Sequence, residues 1–241
     1  MKLTETVYLI GGHGYGYSAK GDCNIYLIDC GNEYALMDTG GGLGVSKILN
    51  NVKRMGLESN KISTVFLSHS HFDHIGGAYE VKERTGCRLL SHTADAGSIE
   101  SLDDYSLYEM GKTWGLTFKA PKLDGYLQDG ECVKVGDIDF SILHTPGHTP
   151  GCITLKFTEK DGMNSLLVGD VAFQGGKLGF INGPGFDLSA WKNSIKRLID
   201  AKPDRLYPGH NTFLLSDATE DLKLTDQRMN SPWTTIVSSI G

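Results

Sequence analysis

Three of the chain's eight histidines stand within six residues, His69-Ser70-His71-Phe72-Asp73-His74, and that density constrains the fold more than any other feature. The segment follows an apolar, β-branched run, Ile62–Leu67, and leads into Ile75–Arg84, a stretch of helical character that Gly86 stops. Imidazoles and a carboxylate packed this closely cannot enter an apolar core without partners. The spacing therefore predicts a loop at the C-terminal end of a strand, where side chains converge on a pocket. Imidazole and carboxylate donors suit zinc, iron or manganese. Alternation lets His69 and His71 point one way while Asp73 and His74 turn toward a neighbouring point, an arrangement that can serve two metals side by side. A merely solvated polar loop is the competing reading. Three histidines and an aspartate ahead of Gly76-Gly77 count against it.

Three other positions repeat the theme of a donor at a strand end. Thr145-Pro146-Gly147-His148-Thr149-Pro150-Gly151 follows the strand-like run Ile138–Leu143. Gly169-Asp170 follows Ser165–Val168, and Tyr207-Pro208-Gly209-His210 closes Arg205–Tyr207. Each alone is a turn; together they assemble His69, His71, Asp73, His74, His148, Asp170 and His210. Strands are also expected at Val7–Ile10, Cys23–Asp29, Glu33–Asp38, Cys87–Leu90, Glu131–Val135 and Cys152–Phe157. Helices are expected at Leu43–Met55, Leu188–Ile199 and Asp217–Met229, with short helices over 93–118. Strands run to helices in both halves, which suits two packed sheets with helices outside. No repeat or linker divides residues 1–241, so we expect one domain.

Composition narrows the function. Net charge is −6, which argues against nucleic acid as a partner because phosphate binding needs a basic face. No run approaches 18 apolar residues, so no membrane span is expected. The N-terminal apolar run is too short for a signal peptide. The five cysteines are odd in number, scattered and without a C-x-x-C pair, which suits a reduced, cytoplasmic chain. A small-molecule substrate is the expected partner.

The seven donors, in this order, resemble the metallo-β-lactamase-fold hydrolase superfamily, from Asp38 of the Met37-Asp38-Thr39-Gly40 turn to His210. The resemblance implies an α/β (α+β) fold, a four-layer αββα sandwich of the metallo-β-lactamase type. It implies that His69, His71 and His148 bind one metal, that Asp73, His74 and His210 bind a second, and that Asp170 bridges both. Asp73 and Asp170 are then the catalytic carboxylates, acting first as ligands. Asp38 orients the metal loop. The implied cofactor is two divalent ions, zinc first, with iron or manganese possible. The implied reaction is attack of a metal-bridging hydroxide on a small thioester, ester or lactone.

Within the superfamily the chain looks most like the glyoxalase II-like branch, through Leu67–Gly77, the TPGHTPG turn and Gly169–Gly176. Two differences stand out. Authentic glyoxalase II adds a helical domain after this point, whereas residues 211–241 leave room for about one helix. Gly179-Phe180-Ile181-Asn182 stands where that branch often has an arginine. Poor turnover of glutathione thioesters is the expectation. The same branch includes mononuclear iron persulfide dioxygenases, which is the alternative reading. β-Lactamases and RNA-processing nucleases of the same fold are further alternatives.

Outside the donor set, Gly11-Gly12-His13-Gly14-Tyr15-Gly16-Tyr17 lacks the register of a phosphate loop. It reads as a hairpin turn or as a flap that brings Tyr15 or Tyr17 to substrate. Lys177 is a candidate for a substrate carboxylate. Tyr207 reads as core, and His144 as a structural histidine. The aromatic stretch Asp103–Trp114 reads equally as pocket wall or as helix packing.

Overall fold

In the N-terminal half, apolar runs between glycine turns form strands, and amphipathic segments cover them. The computed structural model describes residues 1–179 and 183–231. The first sheet contains β1 (Val7–Gly11), β2 (Ile25–Asp29), β3 (Tyr34–Met37), β4 (Ile62–Phe66), β5 (Arg88–His92) and β6 (Gly125–Leu127), in that spatial order. Its first three strands are antiparallel, and β3 to β6 run parallel. The second contains β7 (Cys132–Val135), β8 (Ile138–His144), β9 (Ile153–Thr158), β10 (Asn164–Gly169) and β11 (Arg205–Pro208), in the order β11-β10-β9-β8-β7. Only the β10–β11 pair is parallel there.

Helices α1 (Val45–Arg54), α2 (Phe72–Ile75), α3 (Ala78–Thr85), α4 (Thr93–Ser101) and α5 (Tyr108–Thr113) lie between strands of the first sheet. Helices α6 (Leu188–Asp200) and α7 (Ala218–Met229) belong to the second. Three apolar cores define the layers. Ile25, Leu36 and Val65 pack against Val45, Ile48 and Val81 of α1 and α3. Leu9, Phe66, Phe140 and Leu155 fill the space between the sheets. Val168 and Leu206 pack against Trp191, Ile195 and Leu222 of α6 and α7. The order is helix, sheet, sheet, helix.

Strand direction and the contacts between the sheets place the site. β3 and β4 run parallel in the first sheet, and β8, β10 and β11 share one direction in the second; His71 against His148 and His74 against Asp170 bring these ends together. Asp38, His69, His148, Asp170 and His210 therefore come from loops that open at a common edge.

The expected helix Ile75–Arg84 divides in two. Asp73 and His74 lie in the single turn α2 rather than in an open loop, and the chain restarts at Ala78. Close backbone crossing explains the break. A Cβ at Gly76 would meet the Gly41 backbone, and one at Gly77 would meet the Thr39 carbonyl. Strand β6 was not legible: three residues after a polar stretch carry too little pattern.

Candidate metal centre

His69, His71 and His148 are 0%, 3% and 2% exposed, so their donors are removed from water. His71 Nδ1 lies 3.0 Å from His148 Nε2. The rings of His69 stand edge-on to those of His71 and His148 at 4.7 and 4.9 Å. Burial, reinforced by neighbouring imidazoles, pushes His69 well below its ordinary pKa, and burial followed by His148 pushes His71 down to about 3. Each neutral ring keeps one N–H and presents one lone pair, and three such rings converge here. His69 Nε2 and His148 Nδ1 are buried without a hydrogen-bond partner. Buried polar atoms are ordinarily satisfied, so an orphaned donor set of this kind fits a cation.

A second group adjoins it. His210 Nε2 lies 3.0 Å from Asp73 Oδ2 and 3.3 Å from His74 Nε2. Asp170 stands between the groups. Its Oδ1 is 3.3 Å from His74 Nε2, and its Oδ2 is 3.4 Å from His210 Nε2 and 3.6 Å from His148 Nε2. Burial opposes charge on His74, but the carboxylates of Asp170, Asp73 and Asp38 outweigh it and hold the imidazole well above its ordinary value. His210 is raised against the same burial cost by Asp170 and Asp73. The seven donors thus form two triads about one carboxylate, the first neutral and the second acidic.

The supports are built into the backbone. Asp38, at φ 65°, accepts from the Ser68 amide at 2.7 Å and from its hydroxyl at 2.8 Å, and contacts His74 Nδ1 at 2.8 Å. Ser68 Oγ also lies 2.8 Å from His69 Nδ1, so one carboxylate orients a ring in each triad. A Cβ on Gly169 would strike Ser68, which explains the glycine before Asp170. Asp95 joins two loops, accepting from the Ser70 amide at 2.9 Å, the Thr149 hydroxyl at 2.6 Å and the Gly151 amide at 2.6 Å. Asn24 and Tyr26 hold the His210 loop across the sheets: the Asn24 side chain and the Tyr26 hydroxyl both donate to the Pro208 carbonyl. Ser68, Asp95, Asn24 and Tyr26 carry no metal-ligand signature, so their supporting roles are visible only in the fold.

A cleft of about 900 Å³ opens over the donors. His71, Asp73, His148, Asp170 and His210 line its floor. Leu107, Met110 and Trp114 of the aromatic stretch form one wall, and Lys177 lies on the rim. Tyr15 and Tyr17 are not among its lining residues. The Tyr15 hydroxyl donates to the Asn211 carbonyl, and the Tyr17 hydroxyl accepts from the Met1 amine. From the same hairpin, His13 and Lys20 face the cleft instead. Tyr207 is buried, with its hydroxyl donating to Glu159 at 2.7 Å. Phe180–Asn182, at the position of the arginine expected from glyoxalase II, lie outside the described residues.

The sequence profile described as the metallo-beta-lactamase superfamily matches residues 19–210, which includes every donor. The chain belongs to the metallo-beta-lactamase superfamily. Among similar proteins, hydroxyacylglutathione hydrolase GloC of Haemophilus influenzae is 31% identical over 188 residues, covering 74% of this chain and 80% of that one. The human acyl-coenzyme A thioesterase MBLAC2 is 27% identical over 226 residues, covering 82% and 76%. A subclass B3 metallo-beta-lactamase of Bradyrhizobium japonicum, BJP-1, superposes with a TM-score of 0.77 over 99% of this chain and 93% of its own. At 22% identity that superposition shows the shared fold alone. The superfamily's metal-dependent hydrolases thus give the coarse frame for this chain. No helix among the described residues is long and apolar enough to cross a membrane.

Proposed function

We propose that this chain is a dinuclear metal-dependent hydrolase of small thioesters, esters or lactones. The observation that carries the reading is the pair of donor triads sharing Asp170. His69, His71 and His148 would hold one divalent ion, and Asp73, His74 and His210 a second, with zinc the default. Ions held there supply Lewis acidity, which acidifies water and polarises a carbonyl. The protein's own part is positioning. Asp38 fixes ring orientation in both triads, and outer partners of this kind are worth roughly 10–100-fold in affinity or activity.

Water is the nucleophile the site favours, because the nearby side chains are committed elsewhere. Burial pushes the Cys23 thiol up to about 12, so it stays protonated. Ser68 donates to Asp38, and Ser70 donates to the Tyr105 carbonyl. Thiolates and activated alkoxides leave with little protonation, whereas an amide nitrogen needs a general acid. The thioester hydrolases among the relatives support that order of substrates.

Comparison of kcat/KM for a short acyl thioester, S-lactoylglutathione, a homoserine lactone and a β-lactam tests the proposal. The thioester or lactone should lead. A β-lactam preferred tenfold or more, about 1.4 kcal/mol of transition-state stabilisation, would overturn the leaving-group argument. Oxygen uptake with a persulfide by a one-iron protein would establish the dioxygenase instead.

A further inference from the structure

The cleft is not uniform, and its two walls diverge from the two triads. On the His71 side, Phe72 stacks edge-on against Trp114 at 5.5 Å, and Leu107 and Met110 extend that apolar surface. Trp114 and Met110 remain 53% and 37% exposed, an unusual cost for large apolar side chains unless something covers them. On the His210 side, the Phe173 ring lies 6.4 Å from the His210 ring, and Phe173 forms a β-bridge with Lys177.

Arg228, in the last turn of α7, joins Lys177 on that side. The Gly175 amide donates to Asp221 of α7 at 2.8 Å, so the turn before Lys177 is tied to this helix. Arg228 Cδ lies 3.2 Å from where a Cβ on Gly176 would stand, and Gly176 has a φ of 65°. A side chain at 176 would displace the arginine. Lys20 faces the same cleft from the β1–β2 hairpin. None of Lys20, Lys177 and Arg228 makes a side-chain hydrogen bond or ion pair with a described residue. In a chain of net charge −6, three such cations about one cleft form a local field of the opposite sign.

Resting on the hydrolase reading above, we propose that Lys177 and Arg228, with Lys20 also lining the cleft, form an anion subsite. The substrate is then an ester or thioester with two unlike arms. One arm carries a carboxylate or phosphate and lies on the His210 side; the other is an apolar chain along Leu107, Met110 and Trp114. Arginine and lysine suit both anions, arginine through its paired donors and lysine as a point charge.

Binding of a thioether, which cannot be hydrolysed, tests the subsite apart from catalysis. Calorimetry on zinc-loaded protein would compare S-hexyl-3-mercaptopropionate with its neutral amide, and with S-hexyl-2-mercaptoethyl phosphate. The acid or the phosphate should bind at least tenfold more tightly than the amide, and whichever leads identifies the anion. Arg228→Gln and Lys177→Gln should each cut that ratio at least fivefold, and Arg228→Lys should restore most of it. A ratio near one in the wild type would overturn the subsite. So would a ratio unchanged in both glutamine variants, because the anion would then be seated on the metal. Binding that follows the expected pattern in a protein inactive on every thioester would uphold the subsite and overturn the hydrolase reading.

Discussion

The two triads use the same donor types and differ in almost everything else. His69, His71 and His148 are buried and neutral, and their loops are joined by Asp95. In the second, Asp73 and Asp170 hold the His74 and His210 imidazoles above their ordinary value while the Asp73 carboxyl is held below its own, and the His210 side chain is 38% exposed. The first triad is shaped by packing, which leaves orphaned atoms. The second is shaped by charge, and in it protons hold the place a cation would take. Asp170 contacts both, and the triads meet again where the His69 and His74 rings lie 4.1 Å apart.

The largest separation should come from Asp170→Ala. Loss of the shared carboxylate should remove metal from both triads and lower kcat by about 10³-fold or more, several kcal/mol of transition-state stabilisation. Asp38→Ala should be milder, about 10–100-fold, with part of the metal retained. Elemental analysis beside kcat decides both. Equal losses in the two variants would erase the distinction between a bridging and an orienting carboxylate.

The halves can also be separated by a support. Asn24→Ala removes one of the two side-chain donors on each of the Pro208 and Asn211 carbonyls beside His210, leaving Tyr26 and Tyr15 in place, and does not touch the first triad's loops. It should weaken one ion about tenfold and spare the other. Weakening of both alike would show that the supports are not private to each half.

Acid should separate them next. Ligands must lose their protons to bind metal. His74 and His210 hold theirs above the ordinary imidazole value, whereas His71 takes one only near 3. As pH falls from 8 to 5, the ion of the acidic triad should leave first. Chelator competition at both pH values checks the order, and simultaneous loss would contradict it.

The donor positions were legible in the sequence, for a local reason, whereas the unlike electrostatics of the two triads were not. Each donor segment follows a strand, and His148, Asp170 and His210 each come directly after a glycine, so the site could be read from strand ends. The split at Gly76-Gly77 was not legible, because it depends on the backbones of Gly41 and Thr39 crossing there. Asp95, Asn24 and Tyr26 act through contacts between distant segments, which neither period nor motif records. The hairpin was placed near the cleft, but its turn directs His13 and Lys20 inward and leaves Tyr17 at the N-terminus.

A smaller effect lies outside both triads and serves as a control. His92 stacks on His144 at 3.9 Å, and burial, then His144, lowers its pKa to about 4. Because the folded value is below the unfolded 6.5, this group's contribution to stability is present above pH 6.5 and is lost as pH falls toward 4. His92→Gln should flatten denaturation midpoints over that window without changing metal content. A slope identical to wild type would assign the acid sensitivity to the triads.

The central claim is that two unlike triads about Asp170 each hold an ion. Metal-free protein, titrated with zinc, iron or manganese and analysed for bound metal after gel filtration, tests it most directly. The account predicts two equivalents per chain at pH 8, bound in two distinguishable steps. A content that stays near one equivalent with every metal would contradict it and point to mononuclear chemistry.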